Sequence, residues 1–340
     1  MNYPLGAFRF NDSTRKLEYY DGNQWVNIST HRPSIGKDGL GRGLIANVGS
    51  EFSNGIHFIN IPILGNSQDF GDLTYSNRRD ASLSSRSRGI FAGGNDSRVN
   101  TINFVTIATE GNAQDFGDLT EQVGGMGGAS NQTRGIVFLG YKTPGAFTNQ
   151  IDFLTIASTG NAVDFGDSTQ ARIQSSQIAS PTRAFQIGGG TPSTVNTIDF
   201  VTISTQGNAA DFGDLGDRTS YGHGSSGSAT RGILMGGADY PGLSPNQNDY
   251  EVIQFMTLST LGNSQEFGNL STARGQGCGV SNSVRSVVCG GTTNNSANTA
   301  TNVCEYVEIS SQGKANDFGD MSSTTLRTQG CAADSHGGLG

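Results

Sequence analysis

Charge is scarce in this chain: Asp, Glu, Lys and Arg supply 15% of its 340 residues, against a usual ~25%. The balance is acidic, with a net charge of −8. Phosphate binding needs clustered Lys and Arg, so nucleic acid is excluded as the main partner. Only 8 prolines occur and glycine has no strict every-third spacing, which excludes a collagen-like rod. No apolar run approaches the ~20 residues that a membrane helix needs. The first residues, Met1-Asn2-Tyr3-Pro4-Leu5-Gly6, lack the basic patch and apolar stretch of a secretory signal. His31, His57, His223 and His336 offer no two imidazoles at metal-ligand spacing. Cys278, Cys289, Cys304 and Cys331 fall in the last fifth of the chain without a Cys-x-x-Cys pair, so neither a zinc site nor a disulfide framework is indicated. They read as small buried strand residues, with a free-thiol state open to all four.

Glycine is plentiful instead, with 50 copies, well above the usual ~7%. A chain rich in Gly, Ser, Thr and Asn and poor in Lys, Glu and Leu makes poor helices. The expected class is all-β. One signature repeats along it: Asp69-Phe70-Gly71-Asp72 returns with its phenylalanine at 116, 165, 212, 267 and 318, the fifth copy reading Glu266-Phe267-Gly268-Asn269. A second signature precedes each copy: Arg42, Arg88, Arg134, Arg183, Arg231 and Arg285 each open a short apolar run that usually ends in glycine. A strand such as Thr101–Thr109 follows, with Ile102 and Phe104 on one face and Val105 and Ile107 on the other. Apolar residues on both faces predict a strand covered on both sides. A Gly-Asn turn then leads into Asp-Phe-Gly-Asp.

This order of strand, Gly-Gly, strand, aromatic and Arg-bearing loop resembles kelch repeats, whose period is about 50 residues. Phe116 and its equivalents stand where kelch blades carry Trp. The loop arginine is matched by Arg172, Arg218, Arg274 and Arg327, and by Arg78 or Arg79 in the first loop; the second loop lacks it. The resemblance covers residues 40 to 340 and implies a six-bladed β-propeller. Arg327-Thr328-Gln329-Gly330-Cys331 mirrors Arg274-Gly275-Gln276-Gly277-Cys278. Residues from about 322 to 340 are therefore expected to complete blade one and close the ring, leaving no free sheet edge. The expected organisation is an N-terminal β-module over 1–32, a linker over 33–40 and the propeller over 41–340.

The motif residues read as structural. Aspartate caps turn N–H groups, glycine allows positive φ and phenylalanine anchors the turn. The repeated arginines are expected to pair with motif carboxylates. Eleven of the 29 acidic residues lie in the motifs, which leaves a weaker calcium reading for Asp69, Asp72, Asp115, Asp118, Asp164, Asp167, Asp211, Asp214, Asp317 and Asp320. Their spacing matches neither an EF-hand nor a nonapeptide repeat. Six copies dispose of a kinase magnesium loop, Gly124-Gly125-Met126-Gly127-Gly128 carries no phosphate-loop lysine, and neither sialidase boxes nor a copper ligand set can be assembled. No enzyme and no cofactor is expected; a propeller hydrolase or oxidase is a remote alternative.

Residues 7–11, 16–20 and 24–28 read as three short strands joined by turns. About thirty residues cannot bury a core alone, so Phe8, Phe10, Tyr19, Tyr20 and Trp25 are candidate attachment residues. Phe8-Arg9-Phe10-Asn11 with Leu17-Glu18-Tyr19-Tyr20-Asp21-Gly22 and Trp25 resembles a short module of bacteriophage virion proteins, especially fibres. The Asp-Phe-Gly-Asp-Leu-Thr copies resemble those of marine cyanophage structural proteins. The resemblance implies a virion protein of tail-fibre or capsid-decoration type, assembled in host cytoplasm, in many copies or as a homo-oligomer. Its implied partners are other virion proteins and, through the propeller, host-surface glycan; neither nucleic acid nor membrane insertion is implied. A glycan-binding adhesin is the alternative, with Tyr141, Phe147 and Tyr240 on the longest loops as candidate ligand residues.

Overall fold

A computed structural model describes residues 4–11, 16–27, 41–49, 52–94, 98–142, 145–191, 193–216, 222–239, 248–294, 299–325 and 330–335. The described residues are all-β, with every strand pair antiparallel and no helix. Besides the N-terminal sheet, six sheets of four or five strands carry the repeat and give a propeller-like architecture.

Sheet one orders Cys331–Ala333, Arg42–Ala46, Ser53–Asn60 and Gln68–Asn77; sheet two orders Ala81–Ser84, Arg88–Ala92, Thr101–Thr106 and Gln114–Asp118. Sheet three holds Gly127–Ser130, Arg134–Phe138, Gln150–Thr155 and Val163–Asp167, and sheet four Ser176–Ala179, Arg183–Ile187, Thr197–Thr202 and Ala210–Asp214. Sheet five holds Gly224–Gly227, Arg231–Met235, Val252–Thr257 and Gln265–Asn269. Sheet six holds Cys278–Ser281, Arg285–Cys289, Thr299–Glu308 and Asn316–Thr325, with Thr292–Asn294 added beside Thr299–Glu308.

The last described strand thus joins the first strands of the repeat. Of the segment expected over about 322–340, the described residues place Cys331–Ala333 in sheet one, while Ser322–Thr325 prolong sheet six. Its register also differs from the sequence match. Cys278 pairs with Cys289, but Cys331 pairs with Ile45, and it is the Gly330 carbonyl that accepts from Ala46 N–H. Gly330 rather than Cys331 takes the place of Cys278, because pairing with residues 42–46 sets the register.

Alternating side chains fill the gaps between sheets. Ile102 and Phe104 face sheet three, while Val105 and Ile107 face sheet one. Six apolar clusters each lie between two successive sheets, and one of them joins sheet six to sheet one through Val287, Phe318, Ile45 and Ile59.

Each Asp-Phe-Gly-Asp copy sits on a fourth strand, at a β-bulge. Asp115 pairs with Asn103 and Gly117 with Ile102, so Phe116 is the extra residue and turns inward. It meets Phe104 edge-on, with ring centroids 5.9 Å apart. The same pairing recurs in every sheet, with Tyr306 replacing phenylalanine opposite Phe318 in the sixth. Gly117 has φ +145°, and a Cβ there would lie 2.5 Å from the Gly160 carbonyl of sheet three. That close approach allows Gly160 N–H to donate to Phe116 O at 2.7 Å.

The turn cap comes from asparagine, not from the motif aspartate. Asn161 Oδ1 accepts from the backbone N–H of Asp118 at 3.1 Å, and Asn112, Asn208 and Asn263 do the same for Asp72, Asp167 and Asp214. Asn66 of sheet one caps Asp320 of sheet six at 3.0 Å.

The repeated arginines do not pair with motif carboxylates. Arg134 stacks on Phe153 at 4.6 Å and donates through Nη1 to Ile203 O of sheet four at 2.9 Å. Arg42, Arg88, Arg183 and Arg231 each reach a carbonyl of the following sheet, at Ile107, Ile156, Leu258 and Ile309. Each guanidinium lies over an aromatic ring of its third strand, while the motif carboxylates lie toward solvent. Arg42 and Arg285 also contact Glu110 and Glu308, which lie outside the motifs.

Candidate functional site

The N-terminal sheet consists of Phe8–Asn11, Lys16–Tyr20 and Trp25–Asn27. Asp21 Oδ1 accepts the N–H groups of Asn23 and Gln24, both at 2.8 Å, and so shapes the second turn. Strand alternation gives the sheet two unlike faces. Phe8 lies opposite Tyr19 and Phe10 opposite Leu17, and all four side chains are exposed, at 68, 37, 59 and 44% respectively. Val26 continues this face opposite Tyr19.

The other face is polar and internally paired. Arg9 Nε donates to Glu18 Oε2 at 2.7 Å and Asn11 Nδ2 to Glu18 Oε1 at 2.9 Å. Asn11 and then Arg9 hold the Glu18 carboxyl below its ordinary range. The Arg9 guanidinium also lies over Trp25 at 4.3 Å, and Trp25 packs on Tyr20 at 5.5 Å. The five attachment candidates therefore separate. Phe8, Phe10 and Tyr19 share the apolar face; Tyr20 and Trp25 belong to the opposite one. Leu17 was the member missed, although its i, i+2 spacing from Tyr19 carries the signal.

Of the loop candidates, Tyr141 and Phe147 pair within a small separate sheet of three strands, Val123–Gly124, Tyr141–Lys142 and Ala146–Phe147, with rings 5.5 Å apart. Tyr141 is half-buried, because Arg98 lies over its face at 4.5 Å. Phe147 stays at the edge of exposure. Tyr240 falls outside the described residues, as do Arg218 and Arg327.

The ten motif aspartates are divided in pairs among five sheets. Among the described residues no group of three or more His, Cys, Asp or Glu is placed to hold a metal. Two of the loop arginines have a different role. Arg172 Nη2 donates to Asp199 Oδ2 at 2.5 Å, with both side chains fully buried, and Arg274 pairs in the same way with Glu305. Burial pulls the Arg172 guanidinium below its ordinary range, and Asp199 works against that pull. The second loop has Val123 where the others have arginine. There the buried Asp152 accepts instead from Thr120 N–H at 3.0 Å, from Thr120 Oγ1 and from Gln150 Nε2.

Comparison with known proteins yields no matching family profile and no significantly similar curated sequence.

A cavity along the first strands of the sheets is lined by hydroxyl groups and glycine, including Ser82, Ser176, Gln177, His223, Ser225 and Cys331. Serines of these first strands join neighbouring sheets at a level where no backbone ladder pairs the strands. Ser84 N–H donates to Ser130 Oγ, Cys331 N–H to Ser82 Oγ and Gly227 N–H to Ser281 Oγ. His223 Nδ1 lies 3.0 Å from Ser176 Oγ, fastening sheet five to sheet four. The serine-rich first strands thus supply hydrogen bonds that a ladder would otherwise provide.

Proposed function

We propose that this chain is a bacteriophage virion structural protein of fibre or decoration type. Its repeat is read as a six-bladed, kelch-like β-propeller closed by the C-terminal strand, displayed from the particle by the N-terminal sheet. The arginine ladder and the apolar clusters support the ring, since each runs from one sheet to the next and from the sixth to the first, and asparagine caps recur at five of the six junctions.

The observation that carries the attachment reading is the exposed apolar face of Phe8, Phe10, Leu17 and Tyr19 on a sheet of about twenty residues. Such a sheet cannot cover that face itself, and exposed apolar patches of this kind mark interaction sites. The partners are other virion proteins, met during assembly in the host cytoplasm. Deleting residues 1–32 is expected to abolish incorporation into particles while the repeat still folds cooperatively. Phe8→Ser/Phe10→Ser is expected to do the same with less perturbation. Normal incorporation of either variant would reject the reading.

The second reading, a glycan-binding propeller, is favoured by the aromatic pair at Tyr141 and Phe147. Binding to a host glycan array that is lost in Phe147→Ala would support it.

A further inference from the structure

Four cysteines meet where the chain closes on itself. Cys278 and Cys331 are joined as a disulfide, with Cα atoms 5.9 Å apart and a sequence separation of 53. Cys289 is the register partner of both Cys278 and Cys304, and all four belong to the cluster between sheets six and one. We propose that the Cys278–Cys331 bond is a redox modification site that latches the C-terminal strand, reached from the central cavity, while Cys289 and Cys304 stay as thiols. This goes beyond the virion reading and does not depend on it.

The closing strand needs such a latch because it is short. Among the described residues its register pairs with sheet one are three, Cys331, Ala332 and Ala333 opposite Ile45, Leu44 and Gly43. The bond ties it sideways to the first strand of sheet six across a sequence separation of 53. Constraining ends that far apart removes freedom chiefly from the unfolded chain.

The choice of partner follows from exposure. The register offset described above leaves Cys331 part-exposed and lining the cavity. Cys289 and Cys304 are fully buried. Burial, together with a hydrogen bond to Cys304, pushes the Cys289 thiol well up, so thiolate is scarce where a competing attack on Cys278 would start.

The oxidant would be a small-molecule disulfide of the glutathione type. The Cys331 thiolate attacks one of its sulfurs, forming a mixed disulfide and expelling one thiol. Cys278 sulfur then attacks Cys331 Sγ and expels the second. Two protein thiols are oxidised, one reagent disulfide is reduced to two thiols, and the two protons pass to the leaving thiols.

The test treats the folded full chain with oxidised glutathione or with dithiothreitol, followed by maleimide labelling under denaturing conditions and non-reducing peptide mapping. Oxidation is expected to give a Cys278–Cys331 cross-link with label on Cys289 and Cys304 alone. The oxidised form should melt about 5 °C or more above the reduced form. Cys331→Ser should melt like the reduced protein whatever the reagent, and Cys289→Ser should keep the redox response. Four labelled cysteines after oxidation, a cross-link to Cys289 or Cys304, or a cross-link without a change in Tm would each overturn the proposal. The wild-type mapping stands even if a variant fails to fold.

Discussion

The guanidinium of Arg285, in sheet six, donates to the carbonyl of Pro62, in sheet one, 3.1 Å away and 223 residues earlier in the chain. The same side chain stacks on Tyr306 at 4.8 Å. The five earlier arginines make the equivalent bridge to the next sheet along, so Arg285 is where the series returns to its start. The seam it crosses carries Asn66 on Asp320 and Ser322 on His57 as well.

Loss of one bridge removes a stacked cation and a charge-assisted hydrogen bond together. Arg134→Ala is expected to cost about 2–3 kcal/mol in urea unfolding. Arg134→Lys should recover only a minor part, because an ammonium lacks the flat fork that stacks on Phe153 and still reaches Ile203 O. Full rescue by lysine would contradict the bridge.

Two glycines facing each other across sheets two and three should respond unequally to alanine. Gly117 and Gly160 both have positive φ, +145° and +156°, but only Gly117 has a neighbouring backbone in the way of a Cβ. Gly160→Ala is expected to cost about 1–3 kcal/mol from backbone conformation alone, and Gly117→Ala distinctly more. Equal denaturation midpoints for the two variants would refute the close approach.

The buried ion pair of Arg172 and Asp199 predicts asymmetric mutant behaviour. Asp199→Ala strands a buried guanidinium and should cost about 3–5 kcal/mol. The double variant Arg172→Met/Asp199→Leu should regain most of that loss, because it removes both charges and keeps the volume. A double-mutant cycle measures the difference.

The seam between sheets one and six should weaken in acid through His57. Its Nδ1 lies 3.3 Å from Ser67 Oγ and 3.1 Å from Ser322 Oγ, and burial holds its pKa below the usual 6.5, with Asp69 opposing. An imidazole with a depressed folded value favours the native state fully above pH 6.5, and that contribution is lost as pH falls through the lowered value. The equivalent residue in sheet two is Asn103, so His57→Asn should flatten this part of the stability profile. An unchanged profile between pH 4 and 7, roughly the range in which histidine titrates, would rule His57 out.

Asp334 acts in the opposite sense beside the closing strand. Its Oδ1 accepts from Gly41 N–H at 2.6 Å and from Arg42 N–H at 3.0 Å, yet burial raises its pKa above the usual 3.8 despite these bonds. The folded state therefore binds its proton more tightly than the unfolded chain does. Stability from this group falls as pH rises from 3.8 through the raised value. Asp334→Asn should be at least as stable as wild type at neutral pH and lack that slope; Asp334→Ala, which loses the acceptor, should be less stable at every pH.

The strands and their period were legible because both signals are local. Ile102, Phe104, Val105 and Ile107 alternate within six residues, and Phe70 to Phe318 mark the repeat without reference to any distant residue. The split of the N-terminal aromatics was also within reach, since Phe8 and Phe10, like Leu17 and Tyr19, stand two apart. The arginine partners were not legible. Their acceptors are backbone carbonyls, which every residue carries, so Ile203 or Pro62 bears no mark in the sequence. The cap was misjudged for a related reason: Asn161 serves Asp118 across a sheet boundary, while aspartate looked like the local choice.

Sequence alone determined that this protein is built of strands, that six copies of one repeat organise them and that a separate aromatic-rich module of short strands precedes them. Composition, alternation and spacing are read along the chain, and local preference suffices for them. Tertiary structure decided which sheet each arginine bridges, which face of the N-terminal sheet stays bare and which two of four cysteines are joined. Those depend on register and on neighbours tens to hundreds of residues away. A one-residue offset at Gly330 turns Cys331 toward the cavity and toward Cys278.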